Sequence, residues 1–247
     1  MKNKLLLLLF LLGVVFPLSA QESEVLISTS HTSLLLSTPQ GGELKFLYYG
    51  RKLTDADVHA VVSTESGSFS AYPVYGLNCP SESALSVQHE DGNMTLQMEV
   101  IGVETIHQEK ADLTVISLKD KVYPFYVKLC YKAYQDVDVI EAWTEISHKE
   151  KKNVKLNQFA SAYLPVRKGN VWLSSLYGAW ANEARLVQEP LEPGMKVIKN
   201  KDGVRNSHTA HAEVMFSLDG QPRENSGRVI GAALCYGGNY KLRIDTD

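Results

Sequence analysis

The chain has 247 residues, a formal net charge of −3 and 21% charged residues. Its lysines and arginines are scattered rather than gathered into a stripe that could follow a phosphate backbone, so nucleic acid is excluded as an expected partner. The three cysteines, Cys79, Cys130 and Cys235, are too few for a disulfide scaffold and follow no CxxC spacing; mostly buried thiols are expected, with a single bridge left open.

The N-terminus separates from the rest. Lys2 and Lys4 make a positive start, residues 5–16 form an apolar run, and Pro17-Leu18-Ser19-Ala20 ends on a small residue. This reads as a signal peptide over residues 1–20, because the run is shorter than the roughly 20 apolar residues a bilayer-spanning helix needs. Export to the periplasm or the extracellular space is expected, with no membrane anchor after cleavage. Residues 21–247 are read as one large domain.

Along that domain period-2 alternation prevails, as in Thr95-Leu96-Gln97-Met98-Glu99-Val100 and Val127-Lys128-Leu129-Cys130-Tyr131-Lys132, the pattern of half-buried strands. Further strand runs fall at 24–36, 44–49, 113–118, 137–146, 155–164, 170–175, 212–218, 228–236 and 240–244. Turn chemistry separates many of them, including Glu90-Asp91-Gly92-Asn93, Asp202-Gly203, Asp219-Gly220 and Gly237-Gly238-Asn239. With no helical pattern long enough to cross over a parallel sheet, the expected class is all-β, with antiparallel sheets packed as a sandwich. The stretches 55–84 and 180–211 read as long irregular loops, where binding groups concentrate. Residues 240–245 read as a strand that ends without a closing turn, as in a terminal strand docked in a sheet or in a chain cut inside a larger protein.

No GxSxG elbow, HExxH pair or phosphate-binding glycine loop is present. His208 and His211 are spaced i, i+3, but no third ligand accompanies them and their surroundings are not helical; they read as loop histidines, and no metal or cofactor is expected. Facing carboxylates cannot be picked out among 28 Asp and Glu, so no catalytic residue is assigned. A pyranose stacks its C–H face on aromatic rings. Trp180, Tyr72 and Tyr75 in the two long stretches are therefore the candidates, with core packing as the competing role, whereas Trp143 and Trp172 lie in strand runs and are expected in the core. Asn93-Met94-Thr95 fits the N-glycosylation pattern.

Four segments carry a resemblance. They are Tyr48-Tyr49-Gly50-Arg51-Lys52-Leu53; Tyr72-Pro73-Val74-Tyr75-Gly76 followed by Ala84-Leu85-Ser86-Val87; Gly178-Ala179-Trp180-Ala181-Asn182-Glu183 followed by Gly203 and Ser207-His208; and Leu234-Cys235-Tyr236-Gly237-Gly238-Asn239-Tyr240. In order and spacing they resemble the N-terminal domain of glycoside hydrolase family 36, the α-galactosidases. The resemblance implies a β-supersandwich of galactose-mutarotase-like form, lying ahead of a (β/α)8 barrel that carries the two catalytic Asp of a retaining mechanism. Such a barrel takes on the order of 250 further residues, so the catalytic residues are expected outside this chain. It further implies α-galactoside oligosaccharides as substrates, a homo-oligomer, and a domain that supports the sugar pocket. The substrate-binding candidates are Asn78, Cys79 and Trp180. Cys79 stands where the family presents an acidic residue, with Asn78 beside it; Asn182 stands in place of an Arg, and His211-Ala212-Glu213 in place of Asn-Pro-Phe. The competing readings are a stand-alone exported carbohydrate-binding module and a mutarotase-like enzyme using a Glu and His208 as acid and base.

Overall fold

The computed structural model describes residues 23–39, 42–64, 69–76, 82–166, 169–205 and 208–246; the expected signal peptide, Asn78 and Cys79 lie outside them. The chain forms two compact units, one from residues 1–77 and 84–163, the other from 78–83 and 164–247.

In the first unit β1 (Ser23–Ser28), β2 (Thr32–Thr38), β3 (Lys45–Arg51) and β4 (Phe69–Ser70) form one antiparallel sheet in chain order. The run 24–36, expected as one strand, is a hairpin. Thr29 folds it: fully buried, its hydroxyl accepts from Thr32 N at 2.9 Å and donates to Asp138 Oδ1 at 2.5 Å. Such side-chain capping of a turn is what short hydroxyl residues do best.

Between β3 and β4 lies α1 (Asp55–Thr64), within a stretch expected to be irregular. Its start is a reciprocal cap. Thr54 Oγ1 accepts from Asp57 N at 3.3 Å and Asp57 Oδ2 accepts from Thr54 N at 2.9 Å, the logic of a capping box with Asp in place of Glu. The bonds that its carboxylate accepts from Thr54 N and Thr54 Oγ1 lower the Asp57 carboxyl below its usual range. No residue of α1 is buried, and its apolar stripe is limited to the half-buried valines Val58, Val61 and Val62.

Four long strands make the second sheet of this unit: β6 (Met98–His107), β7 (Ala111–Asp120), β8 (Phe125–Tyr134) and β9 (Val139–His148), again in chain order and antiparallel. Their alternation sends Ile116 and Leu118 of β7 and Phe125, Val127, Leu129 and Ala133 of β8 into one core with Val25, Ile27, Leu34 and Leu36. Buried Asp120 closes the β7–β8 turn by accepting from Val122 N and Tyr123 N at 2.8 Å each. The short pair β5 (Leu85–Gln88) and β10 (Lys155–Phe159) adds Leu85 and Val87 to the same core. Trp143 stands opposite Cys130 in the β8–β9 register. It is half-buried and outside the core cluster, contrary to expectation, because its register puts it on the far face from Leu129.

The second unit contains β11 (Trp172–Tyr177), β12 (Arg185–Pro190), β13 (Gly194–Asn200), β14 (Ala210–Ser217), β15 (Val229–Ala233) and β16 (Tyr240–Thr246). One sheet has the order β12-β11-β14-β15 and a two-stranded ribbon pairs β13 with β16, all antiparallel. A two-stranded ribbon is marginal alone; here Ile198 and Tyr240 from the ribbon share a core with Leu173, Ala210, Ala212 and Val214 from the sheet. The stretch 180–211 is thus not one irregular loop, since it holds β12 and β13. Trp172 is half-buried on the face away from Leu173, again outside the core. Cys130 is buried, Cys235 is exposed, and both are free thiols.

The chain is therefore all-β, built from antiparallel sheets with one short helix and no closed barrel among the described residues. No described helix is long and apolar enough to cross a membrane.

Candidate functional site

At one end of the second unit, three connections meet where β11 leaves its sheet, β13 ends and β16 begins. They carry the third and fourth of the resembling segments. Asn200, the last residue of β13, fastens them. Its side chain is only 1% exposed, its amide donates to Gly203 O at 2.7 Å and Gly238 O at 3.0 Å, and its oxygen accepts from Asp202 N at 3.0 Å. Asn239 Oδ1 returns the link by accepting from Gly203 N at 2.9 Å. Asp202 Oδ2 accepts from Thr209 Oγ1 at 2.7 Å, and Thr209 O from Gly178 N at 3.2 Å. Beneath this network Tyr240 OH donates to Ala210 O at 2.7 Å, and burial with the nearby Glu213 carboxylate raises its phenol above the usual value.

On this base stands a tight turn. Ala179 and Asn182 exchange backbone hydrogen bonds, N to O at 3.1 and 2.9 Å, so only Trp180 and Ala181 lie between them. Ala181 has φ of 59°, as has Ala184 just beyond, a left-handed conformation that costs a non-glycine residue roughly 1 kcal/mol or more. The turn holds Trp180 at its tip with 83% of its surface exposed. Core packing is thereby excluded within this unit, and a large apolar ring on a strained turn is what a ligand or partner would use. Tyr236 is also exposed, its ring lying so close over Gly238 that a Cβ there would stand 2.5 Å from it. Glu183 Oε1 lies 3.6 Å from His208 Nε2 beside the same turn. That pair is half-exposed, where an ion pair contributes little.

The other candidates divide. Tyr72 is buried in the first unit, donating to Ala160 O at 2.8 Å, so it is a core residue; burial pushes its phenol up to about 12. Tyr75 is half exposed. The Tyr72–Gly76 segment has a structural reason: Gly76 takes φ of 106°, and a Cβ there would stand 2.5 Å from Thr95 Cα. Asn78 and Cys79 follow it and lie outside the described residues. His211 sits on β14 with Nδ1 3.6 Å from Glu213 Oε2, apart from the His208–Glu183 pair, and no cluster of three metal-ligating side chains occurs among the described residues. Asn93, the sequon residue, is engaged through its side chain, donating to Tyr123 OH at 2.9 Å and accepting from Thr95 N at 3.1 Å. Asn200 and Asn239 were missed as architects of the site, since a single Asn at a strand end carries no pattern; the Gly237-Gly238-Asn239 turn was the one available signal.

Residues 42–247 match the family model for the glycosyl hydrolase family 36 N-terminal domain. The chain belongs to this family. Among curated family 36 relatives, alpha-galactosidase Mel36A of Lactobacillus acidophilus is 29% identical over 143 residues, 58% of this chain and 19% of its own length. Alpha-galactosidase AgaA of Geobacillus stearothermophilus is 24% identical over 191 residues, 71% of this chain and 26% of its own. The chain thus spans between about a fifth and a quarter of these relatives. Solved structures agree on the fold: an AgaA variant in complex with raffinose superposes with a TM-score of 0.81 over 91% of this chain and 36% of that one at 20% identity. The alpha-galactosidase of Lactobacillus brevis gives 0.79 over 91% and 34% at 22% identity. The family 36 assignment bears out the resemblance of the four segments and the β-supersandwich expected from it.

Proposed function

We propose that this chain serves an exported α-galactosidase as the domain that lines and braces the sugar pocket, with Trp180 supplying an apolar platform for a galactoside ring. The observation that carries the reading is the Trp180 turn: an exposed indole held by left-handed Ala181, on loops locked together by a buried Asn200, in a member of family 36. The relatives it matches are alpha-galactosidases about four to five times as long as the matched segment, so the hydrolytic chemistry is assigned to a (β/α)8 barrel that this sequence does not contain. There one carboxylate would attack the anomeric carbon while a second protonates the leaving oxygen, the two about 5 Å apart as retention requires. The chain's own contribution is positional. It binds and orients an α-galactoside oligosaccharide and excludes water from one side, with Asn78 and Cys79 as neutral hydrogen-bonding neighbours of the sugar. Export rests on the signal-peptide pattern of residues 1–20, and assembly into a homo-oligomer on the family resemblance.

The test is the full-length protein purified from the exported fraction and incubated with raffinose. Release of galactose, first as the α-anomer by proton NMR, supports the proposal. A protein without action on raffinose or aryl α-galactosides, or one retained in the cytosol with residues 1–20 intact, overturns it.

A further inference from the structure

A second cleft lies in the same unit, at the opposite end of the strands that carry the Trp180 turn. In the β11–β14 register Tyr177 pairs with Ala210 at the end bearing that turn, and Trp172 with Ser217 at the other. Five residue steps along the strand separate Trp172 from Tyr177, roughly 17 Å. The cleft has a volume of about 480 Å³ and is walled by Asn170, Ser217 and the β14–β15 loop, with Gln221, Arg223 and Ser226 contributing from that loop. Its volume lies within the range of small-molecule sites.

Three features make it a built site. Ser217 lines the cleft and is 4% exposed, and its buried hydroxyl has no hydrogen-bond partner among the described residues; a buried hydroxyl left unpaired costs of the order of 1–3 kcal/mol. The loop is clamped at its root, because Asp219 accepts from Arg228 N at 2.9 Å and from the guanidinium Nη2 at 2.6 Å, while Leu218 N donates to Arg228 O at 2.9 Å. Gly220, with φ of 104°, brings the loop so near that a Cβ there would lie 3.2 Å from Asn170 Nδ2. The Asp219 charge is spent on Arg228, leaving a wall of hydroxyl, amide and guanidinium groups above apolar Val229, and half-buried Trp172 shares a face with Ser217 and Val229 across the strands.

We infer that this cleft is a second saccharide-binding site, distinct from the Trp180 loops, in which the Ser217 hydroxyl and the Asn170 and Gln221 amides hydrogen-bond the hydroxyls of a neutral sugar. Amides and hydroxyls both donate and accept, as sugar hydroxyls do; with Asp219 engaged by Arg228, the remaining charge in the wall is the exposed Arg223 guanidinium, which can donate to a neutral sugar oxygen. A site at this distance from the first would hold a further part of a glycan chain, or a neighbouring one, and raise its residence on the protein by linked binding.

The experiment is a titration of the full chain with raffinose, read by amide nitrogen–proton NMR shifts at Gly220, Gly227 and Ser217. Saturable shifts with a Kd in the millimolar range are expected, unchanged in Trp180→Ala and weakened about fivefold in Ser217→Ala, the loss of one hydrogen bond. Because Ser217→Ala deletes an unpaired buried hydroxyl, its melting temperature should equal or exceed that of the parent, so lost binding is not lost folding. Exposed Arg223→Ala supplies a second weakened variant. The inference is overturned by absent or non-saturating shifts, by equal shifts with glycerol, by tighter binding of inorganic phosphate than of raffinose, or by loss of the shifts in Trp180→Ala. The last outcome would leave the α-galactosidase reading intact, whereas an inactive full-length enzyme that still shows these shifts would remove that reading and keep this one.

Discussion

Replacing Asn200 with alanine removes the fastening of the candidate site without touching its exposed surface. The side chain makes three hydrogen bonds, two donated to the carbonyls of Gly203 and Gly238 and one accepted from Asp202 N. At about 1 kcal/mol net apiece the loss is about 3 kcal/mol, a substantial part of the 5–15 kcal/mol typical of a domain. Expressed as melting temperature, that is roughly 6–12 °C for a chain of this size. Urea denaturation followed by tryptophan fluorescence would give the free energy. Hydrogen exchange at Gly203 N, which donates to Asn239 Oδ1, would show whether the loops loosen locally. Thr209→Val is the control: its bond to Asp202 is exposed and should be worth less than about 1 kcal/mol. A destabilisation by Asn200→Ala below about 1 kcal/mol, with unaltered exchange at Gly203, would refute the view that this residue locks the loops.

Three further outcomes follow from the geometry. Gly76→Ala forces a side chain at φ of 106° into Thr95 Cα at 2.5 Å and should cost about 3 kcal/mol or more; Gly238→Ala meets only an exposed tyrosine ring that can turn aside, and should cost under about 1 kcal/mol by the same denaturation assay. Tyr72 is held neutral by burial with its phenol pushed up to about 12 against an ordinary 10.0. The unfolded chain therefore releases this proton first as pH rises, and stability should fall between those two values by about 3 kcal/mol. Urea midpoints across that window should show the slope, and Tyr72→Phe should make it shallower, the raised phenols of Tyr131 and Tyr240 contributing the rest. Trp180→Ala should leave the melting temperature within about 1–2 °C, since an 83% exposed ring contributes little to folding.

The long strands were the most legible part of the fold. In β8 the core residues Phe125, Val127, Leu129 and Ala133 alternate with Lys128 and Lys132 on the other face, and in β7 burial alternates from Thr114 to Asp120. The helix was faint for a related reason: Val58, Val61 and Val62 fall at i, i+3, i+4 but make only a short stripe of half-buried, β-branched residues, so the Thr54–Asp57 cap was the other signal that could have revealed it. β12 escaped because its residues are almost all exposed, and β13 because its one covered face carries a single apolar residue, Ile198, between polar Lys196 and Asn200, so neither shows an apolar period. Trp143 and Trp172 were misread as core because alternation says which residues share a face, not which face is covered. Trp180 was legible as a candidate but not as an exposed one. Its presentation depends on left-handed Ala181, and no glycine or asparagine marked that turn position.

Steady-state hydrolysis of raffinose by the full-length protein, comparing the parent with Trp180→Ala and Trp180→Phe, tests the central claim most directly. About 100 Å² of ring face covered by sugar, at about 25 cal/mol per Å², gives about 2.5 kcal/mol before the costs of ordering. The account predicts that Trp180→Ala raises KM about tenfold or more with kcat changed far less, and that Trp180→Phe restores most of the loss. Unaltered kcat and KM in Trp180→Ala would contradict it, and would leave the exposed turn without a part in sugar binding.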